Sequence, residues 1–281
     1  EADGAFEFAE LQSGTDYTIY PLCNDNYRNG VSTFDIIQMS KHILNVQPLN
    51  SPYKLIAADA NRSGSITTLD IVAVQKLILH ITNDLPNNTS WRFVHRDYAF
   101  PLPSDPWYET FPELTSVNDI SGVNQVDFTA VKIGDVNGDA DMANSQTVDF
   151  RTFEEHLNFL VSNQKFENGE QVTIDFTADN FNEILGYQST IHFDEKALEL
   201  ADVISGNAIS EDDFGMTFLD EGMLTTSWHS SAAKSFAPEE VLFTLVFNTL
   251  KTGEVASSIW MDGSLTAAEA YQKDGNHLGV Q

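Results

Sequence analysis

Two stretches of the chain carry apolar residues at helical spacing, and much of the rest alternates or clusters as strands do. Phe34, Ile37 and Leu44, with Ile36 and Ile43, mark one helix; the run Ile71-Val-Ala-Val-Gln-Lys-Leu-Ile-Leu79 marks another. Between them, Ser51-Pro52 can open a short helix, with serine as cap and proline in the first turn. Toward the N-terminus, Ala5–Phe8 and Tyr17–Tyr20 alternate as strands across residues 11–16. Two strands alone are marginal, so they must pack on later segments of the chain or pair with strands upstream. Residues 82–133 are long and irregular, with repeated prolines and the aromatics Trp91, Phe93, Tyr98, Phe100, Trp107, Tyr108 and Phe111. A disordered linker would not carry so many rings. This stretch is predicted to wrap the helices, pack its rings on them, and end in a strand over Val126–Ile133. A small polar linker is expected over 141–146. From about 147 the pattern becomes Val172–Phe176, Tyr187–Phe193, Met216–Leu219, Met223–Trp228 and Leu242–Phe247, the spacing of an all-β sandwich.

The two helical stretches are copies of each other. Ser32–Leu44 matches Thr67–Leu79 without gaps, with identical pairs at Thr33/Thr68, Asp35/Asp70, Ile36/Ile71, Lys41/Lys76, Ile43/Ile78 and Leu44/Leu79. The second copy comes after a stretch that reads as a calcium loop of the EF-hand type. Asp59, Asn61 and Ser63 take positions one, three and five, Gly64 makes the sharp turn at six, Ser65 offers its carbonyl at seven, and Thr67 and Asp70 take nine and twelve. Calcium is a hard cation that needs several oxygens, and alternating oxygen side chains on a turning loop supply them. Thr67 or Thr68 can cap the helix that leaves the loop. A polar turn ahead of a helix is the alternative reading.

The first copy lacks such a loop. Counting back from Asp35 puts Asn24, Asn26 and Arg28 at positions one, three and five, and an arginine there cannot ligate a cation. Downstream, Ile133-Gly-Asp-Val-Asn-Gly-Asp-Ala140 is only the front half of a loop, with Asp135, Asn137 and Asp139 at positions one, three and five. One segment lacks the front half and the other the back half. A single split site is therefore expected, with Asp35 closing it and Ser32 or a backbone carbonyl nearby. That makes two calcium ions per chain. The alternatives are an incomplete loop completed by water and an Asp/Gly turn without metal.

At these residues the chain resembles known families. Two loop-plus-helix repeats, each with aspartate at loop position twelve and lysine six residues later, resemble dockerin type I modules. Dockerins are calcium-dependent helical pairs that plug into cohesin domains in bacterial extracellular assemblies. The resemblance implies that Thr33, Thr68, Lys41 and Lys76 would carry partner recognition. The order of features in Ile184–Leu200, Val203–Gly206, Ser227-Trp228, Leu242–Phe247 and Leu265–Tyr271 looks like a cohesin over about 147–281. The N-terminal strands resemble the last two of a small immunoglobulin- or prealbumin-like β domain. The expected fold is thus multidomain and mainly β with a small α module: a β-domain end over 1–22, a dockerin-like EF-hand-type helical pair with its wrapping loop over 23–145, and a cohesin-like β-sandwich over 146–281.

Charge and composition narrow the function. The net charge of −28 disfavours nucleic acid and anionic membranes, and no apolar run is long enough to span a bilayer. A single cysteine, Cys23, excludes an intrachain disulfide. On its own that suggests a reducing compartment. Calcium can replace disulfides as the staple of a secreted bacterial protein, and the acidity fits that setting, so an extracellular or cell-surface place in a bacterium is expected. The chain reads as a piece of something longer. No catalytic constellation is present: no Gly-rich phosphate loop, no H-E-x-x-H and no G-x-S-x-G, with only Trp228-His229-Ser230 as a cluster. Three non-enzymatic readings remain. The first is a calcium-clamped structural segment of an adhesin or fibre subunit, whose partners are neighbouring domains of the same chain. The second is a cohesin–dockerin type module that binds between chains or self-assembles. The third is a polysaccharide-binding accessory, for which an exposed row of Trp91, Trp107 and Tyr108 would speak.

Overall fold

The computed structural model describes residues 4–122, 124–141 and 153–281. The linker expected at 141–146 and the boundary at 145/146 fall outside them, apart from residue 141. The chain divides into two compact units. The first takes residues 1–31, 38–77 and 83–147; the second takes 148–281 together with the short segments 32–37 and 78–82.

Three α-helices are present among the described residues: α1 (Thr33–Ile43), α2 (Pro52–Ala58) and α3 (Thr68–Ile78). The helical periodicity and the Ser51-Pro52 start predict each of them within a residue or two. In the first unit, Met39, Leu55, Ile56, Val74 and Leu77 are buried with the strand residues Val94 and Val131. Its strands are β1 (Tyr17–Ile19), β2 (Trp91–His95), β3 (Thr115–Val117) and β4 (Phe128–Lys132). β2 pairs antiparallel with β4, and β1 with β3. The N-terminal strand pair is therefore not the one expected. Ala5–Phe8 is not a strand, Phe6 and Phe8 are exposed, and Tyr17–Ile19 takes its partner from a segment about a hundred residues further on.

Within the aromatic stretch the rings pack mainly on one another, and one of them reaches a helix. Phe100 meets Tyr53 of α2, Tyr98 and Phe111 at centroid distances of 5.7, 5.0 and 5.9 Å. The strand β2 inside it was not signalled by the irregular composition around it. Arg92 on β2 lies over the Phe111 ring at 4.6 Å, and its guanidinium donates two bonds to Glu113 at 2.8 and 2.9 Å, which satisfies a charge that is nearly buried.

The second unit is a β-sandwich. Its strands are β5 (His156–Leu157), β6 (Phe159–Val161), β7 (Lys165–Phe166), β8 (Gln171–Ala178), β9 (Ile184–Phe193), β10 (Leu198–Ser205), β11 (Phe214–Gly215), β12 (Met223–Lys234), β13 (Phe243–Thr249), β14 (Gly253–Glu254), β15 (Ile259–Asp262), β16 (Glu269–Gln272) and β17 (His277–Val280). One sheet runs β10-β13-β8-β6. The other runs β11-β12-β9-β16-β17-β5, with β15 also on β9; β14 pairs with β7. Strict alternation on β8 puts Val172, Ile174, Phe176 and Ala178 inward. They meet Tyr187, Ile191, Leu224 and Trp228 of the facing sheet in one core. The strand expected at Met216–Leu219 is displaced: pairing stops at Gly215, and a short helical turn over Leu219–Glu221 ends at Gly222 with φ +71°. That turn returns the chain into β12 at once, leaving no room for a longer strand.

β9 departs from the pattern of a half-solvated strand. Nearly all of Ile184–Phe193 is buried. Tyr187 and Ile191 serve the core, while Gly186, Gln188 and Thr190 lie on the other face, which segments 32–37 and 78–82 cover. An antiparallel sheet commonly leaves one face to water; this one is covered on both.

Candidate calcium loops and a covered sheet face

The loop from Asp59 to Asp70 is closed on itself by oxygen-centred hydrogen bonds. Asp59 accepts the backbone N–H of Ser63 (2.8 Å) and of Gly64 (2.9 Å). Asn61 Oδ1 accepts the N–H of Ser63, and Asp70 Oδ1 reaches back to the N–H of Asn61 at 3.1 Å. Ser63 Oγ donates to the Ser65 carbonyl, and Thr67 donates to Asp70 from both its N–H and its hydroxyl. Gly64 stands at φ +77° against the Trp107 ring, a conformation that suits glycine. Asp59 and Asp70 are both fully buried. Burial pushes the Asp59 carboxyl up, and the negative charge of Asp70 adds to that; the Ser63 and Gly64 amides and the Arg92 charge pull it down.

These residues fit calcium. Two buried carboxylates of like charge converge on one loop, and the other donors are an amide oxygen, hydroxyls and a carbonyl. Asp59, Asn61, Ser63, Ser65, Thr67 and Asp70 would hold the ion. A bound cation would supply the positive charge that offsets the mutual repulsion of Asp59 and Asp70.

The turn at Asp135 repeats the opening half of that loop. Asp135 accepts the N–H of Gly138, Asp139 and Ala140, and Asn137 Oδ1 accepts that of Asp139 at 3.1 Å. In both loops the first aspartate thus binds the amides four and five residues on, and the asparagine at position three binds the amide two residues on. Position four has positive φ in both, at Arg62 (+57°) and at Gly138 (+87°). Burial pushes the Asp135 carboxyl up, against its amide partners, and Asp139 pushes it further. The turn is seated on the first repeat's loop. Asn29 donates its amide to the Asp141 carbonyl at 2.8 Å and accepts the Asp141 N–H. Gly30 has φ +68° and faces Ala140 so closely that a Cβ would lie 2.6 Å from it. Residues 29–31 directly precede Ser32–Asp35 in the chain. Asp35 belongs to the second unit and the Asp135 turn to the first.

Ser32 and Asp35 form a helix start that the residue pattern alone did not single out. Asp35 Oδ2 accepts the N–H and the hydroxyl of Ser32, and Ser32 Oγ accepts the N–H of Phe34. Thr67, Leu69 and Asp70 repeat this bond for bond. Each position-twelve aspartate therefore also closes a capping box of the form [ST]-x-x-D, a spacing that was legible at Ser32 and Thr67. The remaining first-loop residues have other work. Arg28 donates to the Leu77 carbonyl at 2.8 Å, near the end of α3, and Asn24 accepts the Ser90 N–H. Arginine at position five is thus a helix C-terminal donor.

The recognition positions part company. Thr33 is fully buried in the second unit: its N–H donates to Gln188 Oε1 at 2.7 Å, and its hydroxyl bonds Ser227 Oγ at 2.7 Å. Phe34 packs tilted against Tyr271 (5.3 Å) and edge-on to His277 (4.9 Å), and Ile37 packs with Leu185 and Tyr271. On the other covering segment, Thr266, Thr225 and Thr217 donate to the carbonyls of Ile78 (2.9 Å), Leu79 (2.7 Å) and His80 (2.9 Å). These are the carbonyls that a helix C-terminus leaves without internal partners. Thr68 and Lys76 are exposed, and Lys41 is half-buried. Among the aromatics proposed for sugar, Trp91 is 7% exposed, Trp107 is half-buried against the loop, and only Tyr108 stands out. These three form no exposed row.

Residues 158–278 match the family model described as Cohesin domain. That span lies within the sandwich and is less than half of the chain. No curated protein matches. Among solved structures the chain is similar to one from a type I cohesin–dockerin complex of Clostridium thermocellum, at 13% identity over 45% of this chain and 94% of that one, with a TM-score of 0.34. It is also similar to a type II cohesin of Bacteroides cellulosolvens, at 16% identity over 45% and 95%, with a TM-score of 0.35. The second type II cohesin module of a scaffoldin of Acetivibrio cellulolyticus aligns at 16% identity over 44% and 90%, with a TM-score of 0.33. Among the described residues no helix is long and apolar enough to cross a membrane.

Proposed function

We propose that the chain is a non-enzymatic structural segment of a larger extracellular bacterial protein, in which calcium holds the loops at 59–70 and 135–139 ahead of a cohesin domain. The observation that carries this reading is the Asp59–Asp70 loop, where two fully buried carboxylates converge among oxygen donors. The matching hydrogen bonds at Asp135 extend it to a second ion. The helical pair around these loops is dockerin-like in its repeat and in its position-twelve aspartates. The test is a metal count on the folded chain, with melting followed in calcium and in chelator. Two ions and a clear fall in Tm on chelation are expected. One ion would retain the 59–70 loop and sink the one at 135–139, and none would overturn the reading.

A second reading, binding between chains, is favoured by the cohesin-domain match, since cohesin domains bind dockerin partners. Thr33 counts against its simplest form, because its hydroxyl and N–H are already taken up inside the second unit. A polysaccharide role has the buried Trp91 and half-buried Trp107 against it.

A further inference from the structure

The loop at 59–70 is braced by side chains from residues 88–113, and part of the brace is charged. Asn88 donates its side-chain amide to the carbonyls of Asp59 (3.0 Å) and Ala60 (3.3 Å), at loop positions one and two. The Trp107 ring lies against Gly64 at position six. At position four, Arg62 donates to Glu113 Oε2 at 3.1 Å, and this is the same carboxylate that takes both bonds from Arg92. Glu113 therefore holds two cations at once, one inside the loop and one nearly buried on β2.

Both cations bear on the loop's carboxylates. The charge of Arg92 reaches Asp59 and pulls its carboxyl down against burial. A guanidinium that near competes with a metal ion for the same aspartate, unless its own donors are committed elsewhere. Those of Arg92 are committed: its fork closes on Glu113 while its flat side covers the Phe111 ring. Arg62 is on the loop itself, so without Glu113 its long side chain is free to turn toward the ligands. Its side chain is 45% exposed and that of Arg92 only 8%, so water screens Arg92 less.

We infer that Glu113, which is not a ligand, sets the calcium affinity of the 59–70 loop by keeping the Arg62 and Arg92 guanidinium groups in ion pairs and away from Asp59 and Asp70. This role, which rests on the calcium reading of the loop, makes Glu113 a positioning residue that acts through two arginines. A unit charge released beside a partly buried site shifts affinity by about tenfold.

The test is calorimetric titration of calcium into the full chain, with the loop's site identified as the one that Asp59→Ala removes. Glu113→Gln should weaken that site about tenfold. Adding Arg92→Gln takes away the released charge, and affinity should return to within about threefold of the wild type. Arg62→Gln alone removes a positive charge from the loop and should tighten the site about threefold. An unchanged affinity in Glu113→Gln would overturn this role. So would a double variant as weak as Glu113→Gln, because a brace that acts by shape alone is not rescued by removing a charge. Should Glu113→Gln not fold, the double variant and Arg62→Gln are read in its place: binding near the wild-type level in the first and tighter in the second supports the role, and a large loss in the first or no change in the second overturns it. A wild-type chain without any site that Asp59→Ala removes would overturn the calcium reading itself, and this role with it.

Discussion

Thr33 and Ile37 begin α1 buried inside the second unit, with Phe34 half-buried beside them and Thr33 bonded to the sandwich, whereas Thr68, Leu69 and Val72 begin α3 in water. The loops ahead of them invert the contrast. Before α3 lies a full set of oxygen ligands; before α1 lie two asparagines and an arginine bonded to Leu77 and Asn83. Identical helix positions thus came with opposite surroundings. The lesson is that a repeat specifies the helix and its cap, while the environment decides which of its side chains carry energy.

The strongest way to break this comparison is to truncate the side chain at the same repeat position in each copy. Ile37→Ala should cost about 2–5 kcal/mol, because Ile37 is fully buried and its cavity would be only partly closed. Val72→Ala should stay within about 0.5 kcal/mol, since the side chain is exposed. Urea unfolding of both variants measures the pair, and equal costs would remove the asymmetry.

Calcium should act through the second copy's loop. At free ion a hundredfold above its dissociation constant, binding to the native state stabilises by about 2.7 kcal/mol, and chelation should remove that. Asp59→Ala should abolish the 59–70 ion. Asp35→Ala tests the closing role read for it from the sequence: the metal count should fall by one, and an unchanged count would leave Asp35 a capping residue only. Melting curves paired with metal analysis give both answers.

Much of this was legible in the residues. The 35-residue repeat, α1 to α3, the oxygen spacing of 59–70 and the sandwich strands β8, β9, β12 and β13 come from local periodicity or local motif. What was missed depends on distant partners. β1 finds its mate at Thr115–Val117, and Ala5–Phe8 forms no strand, because strand pairing is not a property of one segment. The covered outer face of β9 was equally hidden, since Gln188 and Thr225 read as solvent positions until helix ends arrive to bond them. Arg28 looked like a defect in a loop and is a donor to a helix carbonyl.

Thr33→Val against Thr68→Val is a finer version of the first test. Losing the Thr33 hydroxyl removes its buried bond to Ser227 and should cost about 1–2 kcal/mol. The same change at exposed Thr68 should be near neutral. The backbone bond from Thr33 to Gln188 survives the substitution, so a much larger loss would mean that the segment had left the sheet.

The smallest effect should be the one in which the copies agree. Ser32 and Thr67 cap their helices through the same three bonds, so Ser32→Ala and Thr67→Ala should each cost about 1 kcal/mol when measured in chelator. Repeating both in saturating calcium separates capping from ligation. A cap alone contributes the same with and without the ion, so its cost stays fixed. A hydroxyl that also serves the metal adds a loss of affinity, so Thr67→Ala should grow more costly in calcium, with a lower apparent affinity at one site. If neither variant changes between the two conditions, the loop oxygens at positions nine belong to the helix starts and the ion is held by the remaining ligands.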